Sequence, residues 1–201
     1  MKKHLLITIL LFGSIMLSSQ LSAQTEKGNM LLGGSVNFSY TDNDFDTGSS
    51  TNDISTNTSL NINPSFGYFI ADNFVVGANI GLSFFSSESD SGNLTTSSNG
   101  VTFGPFARYY TDSGLFGTVG FGFGSSNFEQ ESDFGDADFT SSTFSWNIGV
   151  GYAIFLNESI AIEPLISYNR SVSDPNTDVG DERNILSSIN VGAGFNIYFN
   201  K

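Results

Sequence analysis

The sequence is poor in the residues on which most catalytic and redox chemistry depends. Its 201 residues include no Cys and a single His, His4, which lies in the leader described below. Only seven residues are Lys or Arg against 20 Asp and Glu, and the formal net charge is −13. A disulfide framework is therefore excluded, and nucleic acid is not an expected partner because it would be repelled.

Long apolar runs are also missing, apart from one at the N-terminus. Lys2 and Lys3 precede a mostly apolar stretch from Leu5 to Leu17, and Leu21-Ser22-Ala23 follows it. This layout is typical of a secretory signal peptide, and the stretch falls short of the roughly 20 apolar residues that span a membrane as a helix. We expect residues 1–23 to be a cleaved signal peptide and residues 24–201 to form one domain. No Cys follows the apolar stretch, which excludes lipid attachment through a lipobox cysteine.

The rest of the chain consists of short segments in which apolar and polar residues alternate. The connections between these segments are alternately tight turns and longer acidic loops. An even number of strands with connections that differ in length by side is typical of a transmembrane β-barrel. The sequence therefore predicts an all-β fold, an eight-stranded antiparallel up-and-down transmembrane β-barrel. The apolar positions of the eight segments begin at Met30, Leu60, Val76, Val101, Leu115, Phe144, Ile160 and Ile189.

Alternation alone does not tell the inside of a barrel from the outside, because a soluble lipocalin-like barrel alternates too. A water-facing surface carries about 25–35% charged residues. Here the non-apolar positions are Gly, Ser, Asn and Thr, and well inside the segments only Arg108 and Glu163 are charged. We therefore predict an enclosed polar lumen and an apolar face directed toward lipid.

Aromatic residues cluster at the ends of the apolar face. Two girdles at the two membrane interfaces are expected of an outer-membrane barrel, although aromatics also favour strands in general. One predicted girdle, toward the tight turns, holds Tyr68, Tyr109, Tyr152 and Phe199; the other holds Tyr40, Phe84, Phe123, Phe144, Trp146 and Tyr168.

Three prolines, Pro64, Pro105 and Pro164, fall inside predicted strands. Proline cannot donate to a ladder, and a closed barrel has no free edge on which to place it. We expect β-bulges at these positions, or short gaps bridged by water. Because each proline is followed four residues later by Tyr68, Tyr109 or Tyr168, we interpret the recurrence as a structural device.

The chain resembles the small eight-stranded outer-membrane barrels of the OmpX and OmpA-membrane-domain type, within the outer membrane protein β-barrel domain family. The resemblance rests on the strand, Asp-Asn turn and strand from Pro64 to Gly81, and on the last strand, Asn190 to Phe199. It implies an outer-membrane location in a Gram-negative-type bacterium, with both termini periplasmic. It also implies outer-membrane lipids and the barrel assembly machinery as partners. Enzymes of this group use a catalytic His, which the chain lacks after the leader.

The predicted lumen is filled by side chains, as expected for eight strands. Gly120, Gly122 and Gly124 resemble a nucleotide loop, but the Lys-Ser/Thr of a P-loop is missing. We interpret them as making room beside Phe106, Arg108 and Tyr110. Arg108 and Glu163 both point inward, at roughly 10–13 Å above the turns given about 3.3 Å per residue. We predict an ion pair across the lumen; the alternative is that Asn, Ser and water satisfy each charge separately.

Most acidic residues fall in the predicted long loops, roughly Thr41–Ser55, Ser87–Ser97, Ser126–Phe139 and Ser171–Asn184. The segment from Asp42 to Gly48 hints at a calcium loop, because alternating oxygen ligands suit that ion. Its glycine is one position late and the closing Glu is missing, so we interpret the loops as solvated. The acids concerned are Asp42, Asp44, Asp46, Asp53, Glu88, Asp90, Glu129, Glu131, Asp133, Asp136, Asp138, Asp174, Asp178, Asp181 and Glu182.

Two classes of function remain. The first is a non-enzymatic barrel with an envelope-structural role, or with loops that present a surface to an unknown ligand or protein. The second is a small porin-like pore. A soluble periplasmic barrel is a third, more distant reading. The residue pattern indicates no catalytic, cofactor-binding or metal site, and it names no cofactor.

Overall fold

The computed structural model describes residues 23–46, 51–89, 94–133, 135–175 and 183–200. The predicted signal peptide lies outside these residues, except for Ala23. No helix in the described part of the chain is both long and apolar enough to cross a membrane.

The described residues form one antiparallel sheet that closes into a ring. Long strands that are consecutive in sequence pair with each other, and the last long strand pairs with the first. Two strands, β6 (Ala137–Tyr152) and β7 (Ile154–Phe155), pair with the same neighbour, β8 (Ile160–Pro175), so they are one strand interrupted at Ala153. The predicted eight-stranded up-and-down barrel is therefore confirmed. The strands are β1 (Met30–Asp46), β2 (Thr51–Ala71), β3 (Phe74–Ser89), β4 (Leu94–Tyr110), β5 (Leu115–Glu131), β6 (Ala137–Tyr152), β7 (Ile154–Phe155), β8 (Ile160–Pro175) and β9 (Asn184–Phe199).

The strands are longer than the sequence pattern predicted. The eight main strands have 16 to 21 residues each, whereas about 9–11 residues cross a membrane. The predicted long loops were wrong in extent, because Ser, Thr and Asn continue the alternation and the ladders extend into them. The β1–β2 ladder, for example, runs to Asp46 and Thr51. We call this end of the barrel the long-loop end.

The opposite end, which we call the short-turn end, carries the three tight turns that were predicted. Asp72 and Asn73 join β2 to β3, and Asn73 has a φ of 63°. Asn tolerates this left-handed conformation better than most residues because its short side chain bonds locally. Gly114, with a φ of 93°, closes the turn between β4 and β5. The third turn covers residues 156–159.

The three prolines produce short gaps in the ladders, which is one of the two expected outcomes, and the ladders do not bulge at them. Each proline interrupts one ladder for two residues while the register continues unchanged: at Pro64 between β2 and β3, at Pro105 between β4 and β5, and at Pro164 opposite the break at Ala153. The missing proline N–H explains the loss of pairing. Ala153 donates its N–H to Gly114 O instead, at 2.8 Å. Register shifts occur elsewhere, at Asn43/Asp44 and at Phe69/Ala71.

The apolar face points outward, as predicted. Large exposed hydrophobic side chains include Phe121, Ile148 and Ile166 in the middle of their strands. The residues of both predicted girdles lie on this outer face and are exposed or half-buried. The buried apolar residues instead face the lumen and gather at the short-turn end: Leu31, Phe69, Val75, Phe106, Tyr110, Phe116, Ala153, Phe155, Ala161 and Tyr198.

Candidate functional site

Arg108 of β4 and Glu163 of β8 meet inside the lumen, which confirms the predicted ion pair. Arg108 Nη1 lies 2.5 Å from Glu163 Oε2. The Glu163 side chain is 2% exposed and that of Arg108 is 14% exposed. Removing two charges from water is costly, and the cost is offset only where the geometry is close and further hydrogen bonds satisfy the remaining atoms.

Two tyrosines supply those further hydrogen bonds. Arg108 Nη1 donates to Tyr110 OH at 2.9 Å, and Tyr110 OH donates to Glu163 Oε1 at 3.2 Å. The Tyr198 hydroxyl lies within hydrogen-bond distance of both Glu163 Oε1 and Tyr110 OH. We call Arg108, Tyr110, Glu163 and Tyr198 the basal cluster. Arg108 Nε has no hydrogen-bond partner among the described residues.

Aromatic rings surround the basal cluster. The Arg108 guanidinium lies over the ring of Phe116, with Cζ 4.3 Å from the centroid, a favourable cation–π geometry. Phe69 packs against both tyrosines, with centroids 6.0 Å from Tyr110 and 6.2 Å from Tyr198. The basal cluster and these rings fill the cross-section at the short-turn end.

Glycines opposite the rings make this packing possible. A Cβ added to Gly77 would lie 2.7 Å from Phe106 Cε1, and one added to Gly151 would lie 2.4 Å from Phe116 Cζ. The sequence interpretation assigned this role to Gly120, Gly122 and Gly124. Gly120 is paired with Phe106, whereas Gly124 is paired with Thr102, farther from the rings. The side chains that a Cβ at the three glycines would meet first are Asn147, Ser145 and Thr102.

The segment of residues 23–29 folds against the short-turn end. Asn73 N donates to Thr25 O at 2.7 Å, and Gly28 N donates to Phe69 O at 2.9 Å. Asn29 Nδ2 donates to Asn200 Oδ1 at 3.2 Å, which joins the two ends of the barrel chain. These bonds hold the segment against the β2–β3 turn, beneath the basal cluster.

Above the basal cluster the lumen is polar and nearly uncharged. One cavity of about 250 Å³ is lined by side chains that include Asn61, Asn79 and Asn147. A second of about 500 Å³ reaches down to Arg108 and Glu163. These cavities lie above Tyr110, Glu163 and Tyr198, which are buried.

The acidic residues that the structure describes do not gather into a site. Glu88, Glu129, Asp138 and Asp174 lie within strands at the long-loop end, on the parity of the outer face. Asp133 and Asp136 lie in the β5–β6 connection, whereas Asp90, Asp178, Asp181 and Glu182 fall outside the described residues. Among the residues that are described, no three His, Cys, Asp or Glu side chains lie close enough to hold a metal ion.

The hint of a calcium loop does not fit the local structure. Asp42 to Asp46 belong to β1, and Asp42 is paired with Thr56. The backbone of β1 is extended here, at about 3.3 Å per residue, so it does not make the turn with which a calcium loop encloses its ion. Thr47 and Gly48 lie outside the described residues.

Comparison with protein families agrees with this architecture. The family model described as "Outer membrane protein beta-barrel domain" matches residues 8–199. The chain belongs to this family. The family places the protein in the outer membrane of a Gram-negative-type bacterium, as the resemblance had implied. No curated protein matches the chain in sequence.

Several solved structures are similar in fold. OprG from Pseudomonas aeruginosa is 15% identical, with 89% of this chain and 99% of that chain covered and a TM-score of 0.44. Neisserial surface protein A is 13% identical, with 85% and 97% covered and a TM-score of 0.41. The N-terminal barrel domain of P. aeruginosa OprF is 13% identical, with 87% and 98% covered and a TM-score of 0.40.

Sequence reasoning found half of the basal cluster as an ion pair and missed its other half. Tyr110 was placed inward but given no role, and Tyr198 was not considered. The alternation of β9 places Tyr198 on the lumen parity, opposite Phe195 and Ile197. A bulky phenol at an otherwise Gly- and Asn-rich face is the signal that could have identified it.

Proposed function

We propose that this protein is a non-enzymatic outer-membrane barrel that does not conduct solutes and acts at its long-loop end, in an envelope-structural role or by presenting a surface to a ligand or protein. The observation that carries the proposal is the basal cluster, whose buried ion pair, tyrosines and rings close the lumen. The proposal includes an orientation in the membrane in which the long-loop end is extracellular and both termini are periplasmic.

The chemistry of the described lumen supports a role without catalysis. The buried charged groups bond to each other, and the remaining lumen side chains are mostly Asn, Ser and Thr. General acid–base catalysis requires a group held within reach of a substrate. Glu163 is 2% exposed, and its carboxylate oxygens already accept hydrogen bonds from Arg108 and two tyrosines.

The second candidate is a small pore, and the polar upper lumen favours it. Recordings from planar bilayers distinguish the two. We expect the wild-type protein to give no steady conductance steps. A Tyr110→Ala, Tyr198→Ala double variant, which removes two rings from the closed cross-section, should give measurable steps and serves as the positive control. Reproducible steps from the wild type would favour the pore.

A deletion strain tests the role at the cell surface. We expect loss of the protein to increase sensitivity to detergents and large antibiotics, and the wild-type gene to restore resistance. A variant with Glu129→Gln, Glu131→Gln and Asp138→Asn separates a role of the outer acidic surface from a role of the barrel alone. The proposal would be contradicted if the deletion strain kept its resistance to detergents and large antibiotics and its surface bound ligands and proteins as the wild-type surface does.

A further inference from the structure

The wall of the barrel is incomplete along one seam. Strands β1 and β9 pair only from Met30↔Phe199 to Gly34↔Phe195. Both strands continue beyond this point, because β1 stays paired with β2 up to Asp46 and β9 stays paired with β8 back to Asn184. In the described residues, β1 from Ser35 and β9 up to Gly194 therefore face each other without forming a ladder.

Two cavities meet at this seam. The outer one, of about 640 Å³, lies on the lipid side and is lined by apolar side chains such as Leu32, Ile62 and Ile162. The inner one is the lumen cavity of about 500 Å³. Both are lined by Gly34, Ser35, Val36, Ala193 and Gly194. The two cavities thus border the same unpaired stretch of β1 and β9, which we call the lateral slot.

The side chains beside the lateral slot have paired neighbours on one side only. Val36 and Phe38 are 70% and 65% exposed, and Ile189 and Val191 are 74% and 78% exposed. By comparison, Phe123, which is paired with both neighbouring strands, is 57% exposed. Unpaired backbone groups in hydrocarbon each cost several kcal/mol, so a group that offers hydrogen bonds is favoured between the two strand edges.

The chemistry of the lateral slot selects its ligand. The outer rim is apolar, whereas the inner rim carries neutral donors and acceptors, including Asn37, Asn169 and Asn190. The charged groups at its base, Arg108 and Glu163, are bonded to each other. A ligand head with a net charge would therefore find no partner of opposite sign, while hydroxyl and amide groups match the inner rim.

We propose that the lateral slot is a binding site for a single-chain amphiphile of the outer membrane with an uncharged, hydroxyl- or amide-bearing head. The chain lies in the outer cavity, and the head enters between β1 and β9 and hydrogen-bonds to their free edges and to Asn37 and Asn190. Cavities of this size are typical of sites for small molecules. The site belongs to the barrel wall and does not depend on the role proposed for the long-loop end.

A photoreactive monoacylglycerol with a diazirine in its head tests the proposal. The protein is placed in phosphatidylcholine nanodiscs, irradiated with the probe, and mapped by mass spectrometry. We expect adducts at residues 35–39 and 190–194, including the lumen-facing Asn37 and Asn190. Unlabelled monooleoylglycerol should abolish these adducts by competition, whereas a fatty acid of the same chain length should compete at least about tenfold less well.

Two glycines offer a matched pair of variants. A Cβ added to Gly192 in the lateral slot or to Gly117 on β5 meets no atom within 4 Å. Gly192→Trp fills the lateral slot and should lower the saturable adduct yield about tenfold, whereas Gly117→Trp should leave it unchanged. An Asn37→Ala, Asn190→Ala variant, which fills no space, should also lower the yield and covers the case in which Gly192→Trp does not fold.

Several results would overturn the assignment. Adducts spread over the outer face of every strand without saturation would show contact with bulk lipid only. If the fatty acid competed as well as monooleoylglycerol, the inference that the ligand has an uncharged head would be wrong. Loss of these adducts when two copies of the protein share a nanodisc would show that a second copy occupies the seam. Unchanged saturable labelling in both the Gly192→Trp and the Asn variants would also reject the site. None of these results alters the expected absence of conductance.

Discussion

At the scale of single residues, Arg108 and Glu163 are the pair on which the closed end of the lumen depends. Arg108→Glu places two carboxylates together in a buried position, where breaking such a pair typically costs about 3–5 kcal/mol of unfolding free energy. We expect the double variant Arg108→Glu, Glu163→Arg to recover most of this loss. Urea unfolding in lipid vesicles, followed by Trp146 fluorescence, measures both. A double variant no more stable than Arg108→Glu would show that the charges act separately.

Gly67 shows how the lumen glycines fit the rings around them. A Cβ at Gly67 would lie 2.7 Å from Val75 Cγ2 and 3.4 Å from Phe106 Cζ. We expect Gly67→Ala to lower the unfolding free energy by about 1–3 kcal/mol through overpacking, and Val75→Ala in the same chain to offset part of it. Gly117→Ala is the control, because the added methyl meets open space. Equal effects at positions 67 and 117 would mean that strand propensity, and not packing, determines the change.

At the scale of the strands, the prolines and the seam interrupt an otherwise regular ladder. Pro64, Pro105 and Pro164 each remove a donor, and the chain keeps its register across the gap. Gly34 is the last residue of β1 paired with β9, and a Cβ there would lie 2.5 Å from Asn63 O. The close approach of β1 to β2 at Gly34 coincides with the start of the lateral slot.

Hydrogen exchange tests this arrangement of the strands. In β1 beyond Gly34 we expect every second amide to exchange fast, because one half of the amides bond to β2 and the other half face the seam. Amides of residues 30–34 and of the β3–β4 ladder should stay protected. NMR exchange in detergent micelles or nanodiscs measures this alternation. Uniform protection along residues 35–43 would mean that β1 and β9 close against each other in the membrane.

At the scale of the whole molecule, the closed ring should resist detergent. A sheet without free ends keeps its ladders in cold SDS, and the single five-pair closure between β1 and β9 is its weakest ladder. We expect the outer-membrane fraction to contain the protein and its gel mobility to change on boiling. We also expect Gly33→Trp, whose Cβ would lie 1.7 Å from Asn196 Oδ1 within that closure, to lower the temperature of the change. A protein absent from that fraction, or without a shift, would contradict the membrane barrel.

The sequence determined the strand count, the inside and outside of the wall, the tight turns and the Arg108–Glu163 pair. The faces of the wall follow from alternation, because each strand residue points to one of only two faces. The ion pair follows from the scarcity of charge, because two isolated charges in a small lumen have few other partners. The extent of the strands could not be read in the same way, since Ser, Thr and Asn at the long-loop end suit both an exposed strand and a loop.

Only the tertiary structure decided which residues meet across the lumen and where the wall opens. Tyr110 and Tyr198 are 88 residues apart in sequence, and their 2.9 Å contact depends on how the ring closes. The same is true of the lateral slot: the residues of β1 and β9 at the seam alternate like those of any paired strands. Alternation fixes the face of each residue, whereas the distance between two strand edges depends on the closure of all the strands together.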